Sequence, residues 1–209
     1  MSKKGSSTRW LQEHFQDPFV LKAKEQKYRS RAAFKLQEIN AKENLLRSGM
    51  IVVDLGAAPG SWSQVASEQT GQTGQVIALD ILSMSPLSRV SFIQGDFREE
   101  ETLNELKSVL RDHSVDIVLS DMAPNMSGII ATDQPRSVYL GELALDFALN
   151  YLKPSGSLLM KSFQGAGFQI FYNSMHEYFY QTRIIKPMAS RDCSREVYIL
   201  AKKLKKSKL

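Results

Sequence analysis

Residues suited to holding a ligand fall at four places along this chain of 209 residues. The first is the turn Asp54-Leu55-Gly56-Ala57-Ala58-Pro59-Gly60-Ser61-Trp62, where glycines let a ligand approach the backbone closely. The second is Asp80, 24 residues beyond Gly56, at the end of the apolar run Gln75–Leu79. A carboxylate so placed can accept both hydroxyls of an unphosphorylated ribose. The third is Asp96, after Val90–Gln94, where an adenine amino group could be held. The fourth is Asp121, after Val115–Ser120. The first turn is not G-x-G-x-x-G, which counts against a dinucleotide and its pyrophosphate. These loops carry acids and no excess of bases, so they repel phosphate and attract a cationic nucleoside. S-adenosyl-L-methionine, with its sulfonium, is such a nucleoside. Any one of these aspartates alone reads as a helix cap or turn residue. Four positions in register are much harder to explain that way.

Lys161 is the fifth chemical feature. It interrupts the apolar run Leu158-Leu159-Met160-Lys161, and buried lysines are rare unless paired. The plainer explanation is a lysine at the exposed end of a strand.

The elements that would position these residues alternate in kind. Short apolar runs predict strands over Met50–Leu55, Gln75–Leu79, Val90–Gln94, Val115–Ser120, Ser157–Ser162, Thr182–Ile185 and Glu196–Ala201. Between them, helices are expected over Ser61–Glu68, Glu101–Arg111, Arg136–Leu152 and Phe168–Tyr180, the long third one stopped by Lys153-Pro154-Ser155-Gly156. The alternation implies an α/β fold: a mainly parallel seven-stranded sheet, Rossmann-like, with helices on both faces. In open sheets of this type ligands bind outside the carboxyl ends of the strands, where the four positions fall. Residues 1–28 read as irregular, with scattered aromatics. Trp10, Phe15 and Phe19 suggest a small satellite core there. Ser30 is placed to cap a helix running to about Asn44, which carries Lys35.

Composition sets the outer bounds. The formal net charge is +5, from 27 Lys and Arg against 22 Asp and Glu. Residues 1–48 carry 11 bases and 5 acids, residues 49–201 carry 11 and 17, and residues 202–209 carry 5 bases and no acid. The chain therefore divides into a basic N-terminal extension and helix (1–48), a main domain (49–201) and a lysine-rich tail (202–209). Basic ends around an acidic middle point to a polyanion, most simply nucleic acid. Lys22, Lys24, Lys27, Arg29 and Arg31 are the expected phosphate contacts, with Tyr28 as a stacking residue. The single cysteine, Cys193, leaves no intrachain disulfide and no cysteine-based zinc cluster. The N-terminus has no apolar signal-peptide core, and no stretch approaches a membrane span, so a cytoplasmic protein is expected.

The segments VVDLGAAPGSWSQ, SDMAPNMSG, LLMKSFQG and SREVYIL, in that order, resemble the FtsJ/RrmJ-type ribosomal RNA 2′-O-ribose methyltransferases. The resemblance runs from about Arg9 to Ala201. Ser61 is a departure, standing where members usually carry a second glycine before the tryptophan. The resemblance implies S-adenosyl-L-methionine as cofactor, held by Gly56, Gly60, Trp62, Asp80, Asp96 and Asp121. It implies a catalytic set of Lys35, Asp121, Lys161 and Glu196. Taken alone, Lys35 is a solvated helix residue and Glu196 a surface carboxylate beside Arg195. The implied substrate is the ribose of a uridine in large-subunit rRNA within the assembled 50S subunit. No metal is expected, since the positive sulfur supplies the electrophile, and a monomer is expected, since no oligomerisation motif is visible. The chemistry is an in-line displacement at a sulfonium methyl, which needs the hydroxyl aligned and its proton removed. Lys161 would serve as base or would stabilise the forming alkoxide. Lys35 would orient the hydroxyl, and the two acids would hold the ammoniums. Rival readings are a 2′-O-methyltransferase acting on tRNA or an mRNA cap, a nicotinamide-dependent oxidoreductase, and a catalytically silent RNA-binding module. The missing diphosphate fingerprint disfavours the oxidoreductase, and the intact set of four disfavours the silent module.

Overall fold

The computed structural model describes residues 17–111, 113–191 and 194–205. Seven strands form one sheet: β1 (Ile51–Leu55), β2 (Gln75–Asp80), β3 (Val90–Gln94), β4 (Val115–Ser120), β5 (Leu152–Phe163), β6 (Phe179–Ile185) and β7 (Glu196–Leu204). Their spatial order is β3-β2-β1-β4-β5-β7-β6. Neighbours from β3 to β5 are parallel, whereas β7 runs antiparallel to both β5 and β6. The expected mainly parallel seven-stranded sheet is what forms. Its register explains the alignment of the loop residues. Leu55 pairs with Leu79 and with Ser120, and Asp80 pairs with Gln94, so Gly56, Asp80, Asp96 and Asp121 leave the sheet along one edge.

Alternation along the strands divides the core into two layers. Val53, Leu55, Ile77, Leu79 and Val118 face α4 (Glu100–Leu110), α5 (Ile130–Tyr151) and α6 (Phe168–Tyr178). Val52, Val76, Ile117, Leu119, Leu159 and Leu200 face α2 (Ala32–Glu43) and α3 (Ser61–Thr70). Ala33, Leu36 and Ile39 of α2 are fully buried in that second layer. The helix bearing Lys35 is therefore part of the sheet's own core, although the charge pattern breaks after it. Truncating a side chain such as Leu36 to alanine should cost about 2–5 kcal/mol.

Several elements differ from expectation. Residues 18–25 form a helix, α1 (Pro18–Glu25), rather than irregular chain. Its start has a clear cause: Asp17 accepts a hydrogen bond from Phe19 N, and Pro18 sits in the first turn, where its missing N–H costs nothing. Helix α2 begins at Ala32, two residues after Ser30, although the Ser30 hydroxyl does accept from Ala32 N at 3.2 Å. Helix α5 starts at Ile130, six residues before Arg136, and runs through Pro135. Asp133 stabilises that start by accepting from Ser127 N, Ser127 Oγ and Gly128 N, in the manner of a capping box. β5 begins directly after α5 and passes through Lys153-Pro154-Ser155-Gly156, with a register irregularity against β4. β7 continues to Leu204, so the first part of the expected tail is strand, and Lys202 pairs with Glu43 at 2.9 Å. Phe19 does pack in a small cluster with Ala23, Phe34 and Ala189. Trp10, Phe15, Cys193 and the last four residues lie outside the described residues.

Candidate active site

A cleft of about 690 Å³ opens at the carboxyl ends of β1 to β4, bounded by Gly56, Ala58, Asp80, Ile81, Asp96, Phe97 and Asp121. That is within the usual size of a small-molecule site. Gly56 has φ +69°, and a Cβ there would lie 2.4 Å from Met122 Cγ, so no side chain fits between turn and cleft. Asp80 accepts from Ala58 N and from Leu82 N, both at 2.8 Å, which ties together the loops after β1 and β2. Each carboxylate oxygen keeps a lone pair, enough for two ribose hydroxyls. Asp96 is more heavily engaged. Arg98 donates to it from its backbone N at 3.0 Å and from Nε at 2.9 Å, and Nη2 also contacts Oδ2. That ion pair holds the Asp96 carboxyl below the usual range, the hydrogen bond from Arg98 being the largest cause.

Gly60 and Trp62 stand apart from the main cleft. Gly60, at φ +108°, leads into α3, and a Cβ there would meet Arg29, Met84 and Leu87 within 3 Å. Trp62 is buried and donates its indole N–H to Ala32 O at 2.9 Å. Its ring borders a small inner pocket of about 60 Å³ shared with Ser30, Asp54, Ser61 and Asp121. Ser61 uses its hydroxyl there, bonded to Ser30 Oγ at 2.7 Å. Asp54 is fully buried, and one of its oxygens has no hydrogen-bond partner among the described residues. Burial pushes its carboxyl up to about 7, with the charges of Asp121 and Asp80 adding to the rise and the Ser63 hydroxyl opposing it. Sequence reasoning does not single out Asp54, because mid-strand it looks like one more turn-proximal acid.

An acidic wall, a glycine turn that admits no side chain, and an unpartnered buried carboxylate oxygen all fit a cationic nucleoside such as S-adenosylmethionine. Asp80 and Asp96 would hold its adenosine part, and Asp121 would face its positive end.

Beside the cleft the structure brings Lys35, Asp121, Lys161 and Glu196 together around Tyr198. Lys161 Nζ lies 3.2 Å from Asp121 Oδ1 and also donates to the Asp121 carbonyl. Lys35 Nζ lies 2.6 Å from Glu196 Oε1, which also accepts from Ser190 Oγ at 2.8 Å. Only 9% of the Lys161 side chain and 12% of Lys35 are exposed. Burial raises the Glu196 carboxyl, but the Lys35 ammonium, its hydrogen bonds and the charge of Lys161 outweigh it and hold the group below the usual range. Tyr198 is fully buried, donates to Asp121 Oδ1 at 2.8 Å and lies under Lys35 Nζ, 5.8 Å from the ring centroid. Burial, then the charges of Asp121 and Glu196, push its phenol well above its ordinary value. Tyr198 escapes a reading of the sequence. The signal is the pairing of β7 with β5, which sets Tyr198 opposite Lys161 and Glu196 two residues away on the same face. That pairing is a property of the sheet and cannot be read along the chain.

Of the residues expected on the RNA side, Tyr28, Arg29 and Arg31 make bonds within the fold. Arg31 contacts Asp17 and the Ala189 carbonyl, and its guanidinium stands over the Phe19 ring. Arg29 donates to Pro59 O and Pro86 O. Tyr28 donates to Glu68 Oε2 and accepts from Gln37. All three are engaged within the fold, because the segment that carries them packs against the turn after β1, α3 and the β6–β7 loop.

A parallel sheet with an inserted antiparallel strand, and an acid-lined cleft opening beside two paired lysines, define a methyltransferase of the Rossmann-like class. The FtsJ-like methyltransferase pattern matches residues 28–204, and this chain belongs to that family. Curated relatives named ribosomal RNA large subunit methyltransferase E are 54% identical over 200 residues in Azoarcus sp. (strain BH72) and 52% over 202 residues in Pseudomonas aeruginosa (strain PAO1). These alignments cover 96% and 97% of this chain and 98% of each relative. A crystal structure of a protein assigned as a ribosomal RNA methyltransferase from Plasmodium falciparum superposes with a TM-score of 0.78 at 31% identity, covering 85% of this chain and 98% of that one. Aeropyrum pernix fibrillarin, crystallised with natively bound S-adenosyl-L-methionine, shares the fold at a TM-score of 0.53 and 15% identity, covering 81% of this chain and 73% of that one. Among the described residues no helix is long and apolar enough to cross a membrane.

Proposed function

We propose that the chain methylates the ribose 2′-hydroxyl of a uridine in large-subunit ribosomal RNA, using S-adenosyl-L-methionine, with the assembled large subunit as substrate. The observation that carries this reading is the convergence of Lys35, Asp121, Lys161 and Glu196, with Asp121 also forming part of the cleft wall. The names of the curated relatives support the choice of large-subunit rRNA. A ribose hydroxyl is a poor acid and a weak nucleophile, so the site must orient it and stabilise the charge on its oxygen while its proton passes to water as the O–CH3 bond forms and the methyl–sulfur bond breaks. Bound in the cleft, S-adenosylmethionine supplies a methyl carbon activated by positive sulfur. Of the two roles open to Lys161, the geometry favours stabilisation of the oxygen. Its Nζ is held between the Asp121 carboxylate and carbonyl, fixed in direction with a donor to spare. Lys35, anchored by Glu196 and the Tyr198 ring, orients the hydroxyl from the opposite side. Tyr198 fixes the Asp121 rotamer from below.

The test is transfer of a labelled methyl group to assembled large subunits, free rRNA and tRNA in parallel, followed by nucleotide mapping. The expected outcome is one 2′-O-methyluridine in subunits. Label confined to tRNA, or located on a base, would overturn the proposal.

A further inference from the structure

The segment that precedes α2 is stitched to the glycine turn. Lys27 O accepts from Gln64 Nε2 at 3.0 Å, Arg29 N donates to Gln64 Oε1 at 2.9 Å, and Ser30 Oγ meets Ser61 Oγ at 2.7 Å. The Arg29 side chain does more than follow this seam. Its Nη1 donates to Pro59 O at 2.7 Å and its Nη2 to Pro86 O at 2.9 Å. Pro59 belongs to the turn after β1 and Pro86 to the long loop between β2 and β3. That loop leaves the cleft wall at Ile81 and Leu82. One planar guanidinium thus bridges the two loops that flank the cleft. The bridge fits because residue 60 is glycine: a Cβ there would lie 2.7 Å from Arg29 Nη1 and 2.9 Å from a Leu87 methyl.

We propose that Arg29 is a positioning residue for the methyl donor, clamping the turn after β1 to the β2–β3 loop so that the donor cleft is formed before the donor arrives. The inference rests on reading that cleft as the adenosylmethionine site. A charged donor bonded to two carbonyls contributes more than a neutral one, and a forked guanidinium reaches its two acceptors through separate nitrogens in a fixed plane, where an ammonium must make both bonds from one atom. Without the clamp the loops must be ordered by the donor itself, which weakens its binding. Arg29 also lies only three residues before α2 and six before Lys35, so the same segment aligns donor loop and lysine.

The experiment is calorimetric binding of S-adenosylmethionine and S-adenosylhomocysteine, without RNA, to wild type, Arg29→Ala and Arg29→Lys, with urea unfolding of each. Donor KM, RNA KM and kcat are measured alongside on large subunits. Arg29→Ala should weaken donor binding about tenfold or more and raise donor KM by a similar factor. RNA KM and the salt dependence of RNA binding should stay unchanged. Arg29→Lys should fall between, and it serves as the reporter where the alanine variant does not fold. Wild-type donor affinity in folded Arg29→Ala or Arg29→Lys overturns the clamp. So does unchanged donor affinity with a shallower salt dependence, which would assign Arg29 to an RNA phosphate. No binding of either ligand to wild type would instead remove the cleft assignment on which the inference stands.

Discussion

Asp54 and Glu196 are both buried carboxyls, yet their surroundings drive them in opposite directions. Asp54 has no cation among the described residues to offset its burial, which raises its value to about 7. Its native form therefore holds a proton that the unfolded chain releases in the ordinary carboxylate range. Stability should fall as pH rises from about 4 to about 7 and level off beyond, once both states are ionised. Asp54→Asn should remove this dependence, so its melting temperature should gain on wild type across that window. Parallel thermal melts at stepped pH check this, and a constant difference between the two proteins would refute it. Glu196 is the reverse case, held low by Lys35 after burial is overcome. It contributes stability above the ordinary carboxylate range, and that contribution disappears as pH falls through its lowered value. Lys35→Ala leaves the carboxylate buried without its ion-pair partner and should cost about 3–5 kcal/mol in urea unfolding at neutral pH. Lys161→Ala tests the chemistry directly. Methyl transfer should fall by a factor on the order of 10²–10⁴ while calorimetric donor affinity stays within error, since Lys161 is not among the residues that border the cleft. Near-normal turnover would reject the role given to this lysine.

At the scale of elements, the seam between the N-terminal segment and the β6–β7 loop decides whether α2 is held in place. Asp17 caps α1, pairs with Arg31 and lies 3.9 Å from Arg191 Nε. Asp17→Ala should therefore cost at least the usual cap contribution, about 0.5–2 kcal/mol, and should weaken α1 and the Ala189 loop together. Hydrogen exchange should show both segments losing protection; loss in α1 alone would mean that Arg31 does not couple them. The Asp17-Pro18 start is readable from the sequence by its cap and first-turn proline, and only its basic, aromatic-strewn setting obscures it. The strands are more legible because β1, β2 and β4 are short apolar runs ending in Gly or Asp, a pattern imposed by burial on both faces. The start of α5 is hidden by Pro135, which ordinarily marks a boundary; Asp133 and the Ser127 turn override it. The donor side of the site is legible since each of its loops follows its own strand. On the lysine side only Lys161 shows in the sequence, as a charge in an apolar run; Lys35 and Glu196 are visible only through family resemblance, because α2 packing and the antiparallel insertion of β7 bring them to it. Arg29 and Arg31 read as phosphate contacts because charge alone does not reveal a carbonyl or carboxylate partner contributed by distant chain.

Across the whole molecule, charge is divided between an acidic central stretch and a basic N-terminal one, and the structure determines which of those bases can act outward. Arg31 is paired with Asp17, whereas Arg29 bonds two neutral carbonyls, so of the two only Arg31 has its charge matched by an acid within the fold. Lys22 and Lys27 are exposed, Lys22 resting its Nζ 4.8 Å over the Phe34 ring while its charge faces water. An RNA interface built on such cations releases counterions on binding, and its affinity should fall steeply with salt. The two groups of bases then separate by experiment. Lys22→Ala with Lys27→Ala should flatten the slope of log affinity against log salt, by about 0.7–0.9 for each phosphate no longer neutralised, with little change in unfolding midpoint. Arg31→Ala should do the opposite, leaving the slope alone while lowering the midpoint, because it strands Asp17 and releases the Ala189 carbonyl. Filter binding of rRNA fragments over a salt series, paired with urea titrations, measures both quantities on the same preparations. A flatter slope in Arg31→Ala, or an unchanged one in the lysine pair, would show that the RNA opens the N-terminal seam on binding instead of docking against it.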